Sequence, residues 1–368
     1  MPSMTLNEMA ATLKLWQVAY YNDEPLVDDP TYDSLYDTLT LLDPDNAVLK
    51  QIGAPVEEIP GAVKIAHLIP MGSLTKAKNA AAMLKWYATV PSLYGFHITD
   101  KMDGISVSAQ YKAGKLVQAV TRGDGDIGID ITRNFRLMKG VKETIPGFTG
   151  FIRGEIVITL ADFDEFFPGA SNTRNTASGT AQRQSNPEKC EHLTVYFYDV
   201  RPDAGQLKNK TQEFAWLEAQ GLKTPRHYFV ADLKGIEEVY ASYVASVRAG
   251  LDYVIDGLVV LVDDNGVIDA MGSPGSKPNA GRAYKFPHAQ AGSVLREIIA
   301  QVGKSGRITP VAVFDTVTLD GAQISRASLS TWGRVEALRL FIGCRILVSR
   351  RNQVIPYVEA NLDLDLTL

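Results

Sequence analysis

The sequence predicts a multidomain α+β protein. It reads as a small helical segment over residues 1–60, a mixed body of strands and helices over 61–290, and a small β-barrel over 291–368. Three observations carry this reading. A chain of 368 residues is too long for one small core, so two or three domains are expected. The first sixty residues space their apolar side chains by three and four, the period of a helix with one buried face. Beyond about residue 291, short alternating runs and glycine turns replace the helical pattern, as in small barrels.

The elements follow in order. Thr5 and Glu8 form a capping-box pattern, and Leu6, Met9, Leu13 and Trp16 fall on one face, so 5–21 reads as a helix. A second helix begins at Asp29 as N-cap, with Pro30 at its first position and Leu35, Leu39 and Leu42 as its stripe. Pro44, Gly53, Pro55 and Pro60 then break the chain. In the body, strands are expected at 94–100, 104–111, 115–121, 151–158, 193–199 and 256–262, and helices at 78–90, 161–167, 211–220 and 235–248. Met271 to Gly281 is rich in Gly, Pro and Ser and reads as a loop. Barrel strands are expected at 294–301, 311–319, 322–326 and 344–349.

Composition narrows the class. Hydrophobic content of 45% is ordinary for a globular protein. No apolar run reaches membrane-spanning length, and Met1-Pro2-Ser3-Met4 does not open a signal peptide. Cys190 and Cys344 lie far apart and no Cys-x-x-Cys occurs, which argues against a disulfide scaffold and a four-cysteine zinc site. A reducing compartment is expected, namely the cytoplasm. The net charge of −5 conceals an asymmetry. Residues 1–60 carry two lysines against eleven acids, a balance of −9, whereas 321–351 carry six arginines against Glu336, a balance of +5. The first suits a cationic ligand and the second suits phosphates, although each by itself is also an ordinary solvated surface.

The chemistry centres on Lys101-Met102-Asp103-Gly104. It follows the apolar run Tyr94-Gly95-Phe96-His97-Ile98 and precedes the alternating run 105–111. This places Lys101 in a turn between two strands, where desolvation can strip its proton and make it a nucleophile. In 151–158, alternation puts Arg153 and Glu155 on one strand face and Ile152, Ile156 and Ile158 on the other. Asp256-Gly257 leads a buried strand, and Lys285 sits between Tyr284 and Phe286. A lysine buried among aromatics is costly unless it meets an anion.

Taken together these segments resemble the NAD-dependent DNA ligases of bacteria and their phages. His67-Leu68-Ile69-Pro70-Met71-Gly72-Ser73-Leu74 looks like the lead-in to the family's adenylation domain. Lys101-Met102-Asp103-Gly104, Thr121-Arg122-Gly123-Asp124-Gly125, Arg153-Gly154-Glu155, Asn172-Thr173-Arg174-Asn175, Asp256-Gly257 and Lys285-Phe286-Pro287 resemble its further motifs, in order. Thr309-Pro310-Val311-Ala312 and Val354-Ile355-Pro356 are similar to its oligonucleotide-binding barrel. The resemblance implies a nucleotidyltransferase domain of antiparallel sheets with helices, followed by an OB-fold. It also implies NAD and Mg²⁺ as cofactors and nicked double-stranded DNA as partner, in the cytoplasm of a bacterium or of a phage-infected host.

The site residues come with that resemblance. Lys101 would carry AMP, and Lys285 and Arg174 would neutralise phosphate while Lys285 helps to depress the pKa of Lys101. Glu155 would hold a ribose hydroxyl, and Asp103 would bind ribose or water on Mg²⁺. Ser73, Leu74 and Gly104 would line the nucleotide, Tyr198 would stack on adenine, and Arg122 and Arg248 would meet phosphate or the nicotinamide side. Tyr20, Tyr21, Asp29, Tyr32 and Asp33 resemble the nicotinamide mononucleotide site. Tyrosine faces and carboxylates suit a pyridinium cation, although Asp29 equally serves as an N-cap and Tyr32 as core. Arg326, Arg350 and Arg351 are expected on DNA.

The chain also departs from the family's pattern. Leu261 stands where the family has a lysine, and Thr99 stands where it has an acid, with Asp100 one step away on the opposite strand face. Gln182 takes the place of a phosphate-binding arginine, with Arg183 adjacent. The family's zinc module, helix-hairpin-helix repeats and interaction domain are not found in the 368 residues. A compact phage-type enzyme, a second subunit or a shortened chain would each account for this. Two alternatives are an ATP- or GTP-using nucleotidyltransferase and a non-catalytic nick-binding subunit.

Overall fold

The computed structural model describes residues 4–21, 27, 29–44, 46–50, 61–170, 172–287, 289–302, 308–319, 322–351 and 355–364. Contacts divide the chain into two units, Met1–Phe286 and Pro287–Leu368.

The first unit opens with α1 (Leu6–Tyr21), α2 (Asp29–Leu42) and α3 (Ala47–Lys50). The capping box closes both ways: Thr5 N–H donates to Glu8 Oε2 at 2.8 Å, and Glu8 N–H donates to Thr5 Oγ1 at 3.3 Å. Leu13, Leu39, Val48 and Leu49 form the buried centre, against which Met9, Trp16, Tyr32, Leu35 and Tyr36 pack.

Then follow β1 (Lys64–Ala66), β2 (Lys76–Ala77), α4 (Ala80–Tyr87), β3 (Phe96–Met102), β4 (Ile105–Lys112), β5 (Lys115–Thr121), β6 (Ile127–Ile129), α5 (Thr132–Phe135), β7 (Gly150–Ile158), α6 (Leu160–Phe166) and α7 (Thr173–Ala181). The unit continues with β8 (Leu193–Pro202), α8 (Lys210–Ala219), β9 (His227–Val230), α9 (Leu233–Ala245), β10 (Ile255–Val262), α10 (Asn265–Met271) and β11 (Gly281–Lys285). One sheet has the order β2-β11-β10-β3-β9 and another β5-β4-β7-β8, while β1 and β6 form a ribbon. Two buried clusters serve the two larger sheets. One is built around Val107, Tyr111, Phe135, Ile152 and Phe197, the other around Phe96, Ile98, Tyr243, Leu258 and Val260.

The structure corrects the placement of Lys101. It lies within β3, not in a turn, and pairs with Gly257 of β10. Gly95, at φ +68°, starts the strand at Phe96, two residues later than the apolar pattern suggests. Nor do β3 and β4 form a hairpin. They belong to different sheets, which part at Asp103-Gly104. A Cβ on Gly104 would lie 2.2 Å from the carbonyl oxygen of Ile156, so only glycine lets the turn press against β7. The loop expected from Met271 begins one residue after α10 ends, a helix capped by Asp264 through Val267 N–H.

A buried ionic network fixes the strand that borders the cleft. Lys210, 3% exposed, donates to Asp199 Oδ1 at 2.7 Å and to both oxygens of Glu213 at 3.0 and 2.9 Å. Asn265 Nδ2 also donates to Glu213, at 2.7 Å. Burial by itself would raise the Asp199 carboxyl, but Lys210, Arg201 and Arg153 outweigh it and hold it far below the usual range.

The second unit comprises β12 (Ala289–Val302), β13 (Ile308–Leu319), β14 (Ala322–Ser328), α11 (Trp332–Ala337), β15 (Arg345–Arg351) and β16 (Ile355–Asn361). The strands close in the order β12-β13-β14-β16-β15, with β14 and β16 parallel. Leu295, Phe314, Leu329, Ile346, Val348 and Val358 fill the interior. No helix among the described residues is long and apolar enough to cross a membrane.

Replacing Lys210 with Met would remove the cation that Asp199 and Glu213 share, leaving Asp199 to Arg201 and the buried Glu213 carboxylate without its ion pair. The unfolding free energy is expected to fall by about 3–5 kcal/mol. Urea denaturation at neutral pH measures this, and a loss below about 0.5 kcal/mol would show that the network is dispensable.

Candidate active site

The site lies where the two sheets part. On β3, alternation puts Thr99 and Lys101 on one face and Asp100 on the other. Asp100 is 4% exposed, accepts the Tyr253 hydroxyl at 2.6 Å, and is pushed up by burial. It therefore faces away from Lys101 and does not replace the acid absent at Thr99.

Asp256 does meet Lys101. In the pairing of β10 with β3, the register passes from Ile255–Met102 directly to Gly257–Lys101, which leaves Asp256 as the extra residue of a bulge. Bulges re-aim side chains, and this one turns the carboxylate towards two lysines. Lys101 Nζ donates to Asp256 Oδ2 at 3.1 Å, and Lys285 Nζ donates to the same oxygen. Gly257 must stay bare, because a Cβ there would lie 2.4 Å from the Tyr284 carbonyl oxygen. The side chains of Lys101, Asp256 and Lys285 keep 28%, 18% and 23% of their surface open, so the cluster is accessible to a ligand.

The electrostatics follow from one carboxylate serving two ammonium groups. Burial would raise Asp256, but Lys101 and Lys285 outweigh it and hold the carboxyl well below the usual carboxylate range. Burial, and then the charge of Lys101, pull Lys285 down to about 8 despite the opposing pull of Asp256. The sequence reading expected Lys285 to depress Lys101; the charge of Lys101 also helps to hold Lys285 down.

The facing sheet supplies the remaining groups. Glu155 on β7 pairs with Ser106 of β4 in register, and the Ser106 hydroxyl donates to Glu155 at 2.7 Å. Burial raises the Glu155 carboxyl, against the charges of Lys101, Arg122 and Arg174 nearby. Tyr198 stands at a second bulge, where β8 passes from Phe197 opposite Gly154 to Asp199 opposite Arg153. Burial raises its hydroxyl first, and the charge of Glu155 adds to this. Arg174, on α7, is paired with Asp103 at 2.9 Å. The Arg122 N–H donates to the Ser106 carbonyl.

Other expected residues fall around this group. The Ser73 N–H donates to the Ser276 carbonyl at 3.0 Å, and Leu74 and Leu261 converge on the bare face of Gly281. The Arg248 guanidinium lies 5.5 Å over the ring of Phe286, next to Lys285. Tyr32 stacks on Tyr36 with centroids 6.1 Å apart. The side chains of Tyr20, Tyr21, Asp29, Asp33, Arg350 and Arg351 lie outside the described residues. Arg326 is exposed on β14 of the second unit. Arg153 is committed to the backbone: it donates to the carbonyls of Ile69 and Pro70 at 2.8 and 3.0 Å and so seats the segment leading to Ser73.

Two members were given no role by the sequence: Asp256, read as part of the Asp256-Gly257 motif, and Ser106, a polar position alternating within β4. Among the described residues no three His, Cys, Asp or Glu side chains are grouped to hold a metal ion. That still suits Mg²⁺, which usually takes one or two carboxylates and completes its shell with substrate phosphates and water. The second oxygen of Asp103, whose first is paired with Arg174, would fit such a role.

Residues 61–289 match the family model of the NAD-dependent DNA ligase adenylation domain, and 292–364 match that of the NAD-dependent DNA ligase OB-fold domain. The DNA ligase of Sorangium cellulosum is 38% identical over 382 residues, covering 96% of this chain and 56% of the relative. That of Treponema denticola is 36% identical over 374 residues, with the same shares. The DNA ligase of Fusobacterium nucleatum is 32% identical over 389 residues, covering 97% and 56%. The chain thus spans about half the length of the curated relatives it matches. With both family models matched in order, the chain belongs to the NAD-dependent DNA ligases.

Proposed function

We propose that this chain seals nicks bearing a 5′-phosphate and a 3′-hydroxyl in duplex DNA, using NAD as adenylyl donor. The observation that carries the reading is Asp256 Oδ2 shared by Lys101 and Lys285 in an open cleft. A lysine nucleophile must shed a proton, and two ammonium groups around one carboxylate favour release of one. Phosphate oxygens arriving beside Lys285 favour its charged form, which leaves Lys101 to act as the nucleophile.

Three displacements at phosphorus follow. The Lys101 nitrogen bonds to the α-phosphorus of NAD, and the bond to nicotinamide mononucleotide breaks. A 5′-phosphate oxygen of the nick then takes the AMP, breaking the phosphorus–nitrogen bond. Attack by the 3′-hydroxyl joins the strand and expels AMP. In such transfers positioning and cation clamps do most of the work. Lys285 and Arg174 neutralise phosphate oxygens, and the Asp103 contact orients Arg174. Glu155 receives a ribose hydroxyl, Tyr198 stacks on adenine, and Ser73 and Leu74 border the base. Mg²⁺, when bound, would offset charge on the phosphates. Tyr20, Tyr21, Asp29, Tyr32 and Asp33 take the nicotinamide side, and Arg326, Arg350 and Arg351 the DNA backbone.

Leu261 favours a second reading. No phosphate contact is possible for a leucine, so the chain could transfer AMP to itself yet need a partner subunit to seal. A gel assay on nicked duplex with this polypeptide alone separates the two, since ligated product excludes the need for a partner.

Mass spectrometry after incubation with NAD and Mg²⁺ is expected to show one AMP on the wild type and none on Lys101→Ala. Labelling from ATP but not NAD would overturn the reading. Asp256→Asn is expected to slow adduct formation by about 10²-fold.

Lys285 generates a pH signature. Its folded pKa of about 8 lies below the unfolded value of about 10.4. Burying the charged form therefore costs stability below about pH 8, and that cost fades as pH rises to the unfolded value. AMP should raise the pKa and draw in a proton between about pH 8 and 10. Calorimetry in buffers of different ionisation enthalpy detects this uptake; equal heats in all buffers would exclude it.

Arg326→Glu is expected to weaken nick binding and lower the slope of its salt dependence by about one phosphate's share, with self-adenylylation intact. Loss of both activities together would place the DNA surface elsewhere.

A further inference from the structure

The segment Ser273–Asn279 joins three parts of the first unit. It ends two residues before β11, which carries Lys285. Its Ser276 carbonyl accepts the Ser73 N–H at 3.0 Å, in a contact so close that a Cβ on Gly72 would lie 2.0 Å from that oxygen. Ser276 itself is held at φ +58°, which a non-glycine residue adopts only at a cost. Lys277 then reaches the helical segment. Its ammonium donates to the Tyr36 hydroxyl at 2.8 Å and lies 5.0 Å from the ring centroid. That hydroxyl donates onward to the Leu49 carbonyl at 3.1 Å, and the Tyr36 ring stacks on Tyr32. Lys277 is half-buried, so its bond is partly shielded from water.

We propose that Lys277 is a positioning residue that docks α2 and α3 beside the nucleotide site and so sets the affinity for the nicotinamide half of NAD. The argument is geometric. Its neighbour Ser276 holds the backbone at Ser73, and its ammonium holds the tyrosine stacked on Tyr32. The two halves of a dinucleotide would thus be registered by adjacent residues of one strained turn. The later steps, which use AMP and DNA but no nicotinamide, make no demand on this latch. The inference rests on the NAD-dependent reading given above.

The test compares wild type, Lys277→Met, Lys277→Arg and Tyr36→Phe. Lys277→Met and Tyr36→Phe are expected to raise KM for NAD in self-adenylylation by about tenfold, with kcat changed less than about threefold, the scale of one lost charge-assisted hydrogen bond. Lys277→Arg should restore most of the loss. Sealing of a nick already carrying 5′-AMP should stay at the wild-type rate. Hydrogen exchange in α2 should rise in Lys277→Met and not in Lys277→Arg. A wild type that forms no AMP adduct would sink the functional reading, and exchange in α2 would still report on the latch. Unchanged KM and unchanged exchange in Lys277→Met, or an equal fall in the sealing of the pre-adenylylated nick, would overturn the proposal.

Discussion

One carboxylate oxygen shared by two lysines is the interaction on which the site depends. Without Asp256, two ammonium groups would face each other across a partly buried cleft with no carboxylate between them. With it, the pair is stable but still carries one positive charge in excess. Such a cluster is electropositive, and burial together with the charge of Lys101 holds Lys285 down. Both properties arise because a single acid serves two bases at low solvent exposure.

The fold makes that sharing possible through irregularity. Regular pairing of β10 with β3 would alternate Asp256 to the opposite face from Gly257, away from Lys101. The bulge at Asp256 breaks this alternation. A second bulge at Tyr198 does the same on the opposing sheet, beside Glu155. Glycine at 104 lets the turn between the sheets press against β7, and glycine at 257 lets β10 close on β11 beside Lys285. The buried network of Lys210, Asp199 and Glu213 anchors the strand that follows Tyr198. Bulges, bare glycines and ionic anchoring therefore answer one requirement: polar groups from two sheets must converge without a continuous ladder between them.

Departures from the family's pattern acquire meaning in the same frame. Leu261 does not leave a hole, since it packs with Leu74 over Gly281. Thr99 lies on the cleft face, 7% exposed, opposite Val259. Lys101, Arg122 and Arg174 supply positive charge around Glu155, and Lys285 adds to it beside Asp256. Arg153, equally basic in the sequence, is spent on two carbonyls of the segment it seats.

The sequence by itself determined what is local. The capping box at Thr5, the apolar stripes, the barrel's alternating strands and the ordered motifs around Lys101, Glu155 and Lys285 are all legible because their signals span a few residues. Only the tertiary structure decided that Lys101 lies inside a strand, that successive strands enter different sheets, and that Asp256 turns towards both lysines. Those facts depend on pairing between β3 and β10, which brings together residues 155 positions apart. The tie between Lys277 and Tyr36 spans 241 positions. Contacts at such separations are set by which strands close together and how tightly backbones pack. A residue's chemistry can be read from its letter, whereas its partner is chosen by the whole fold.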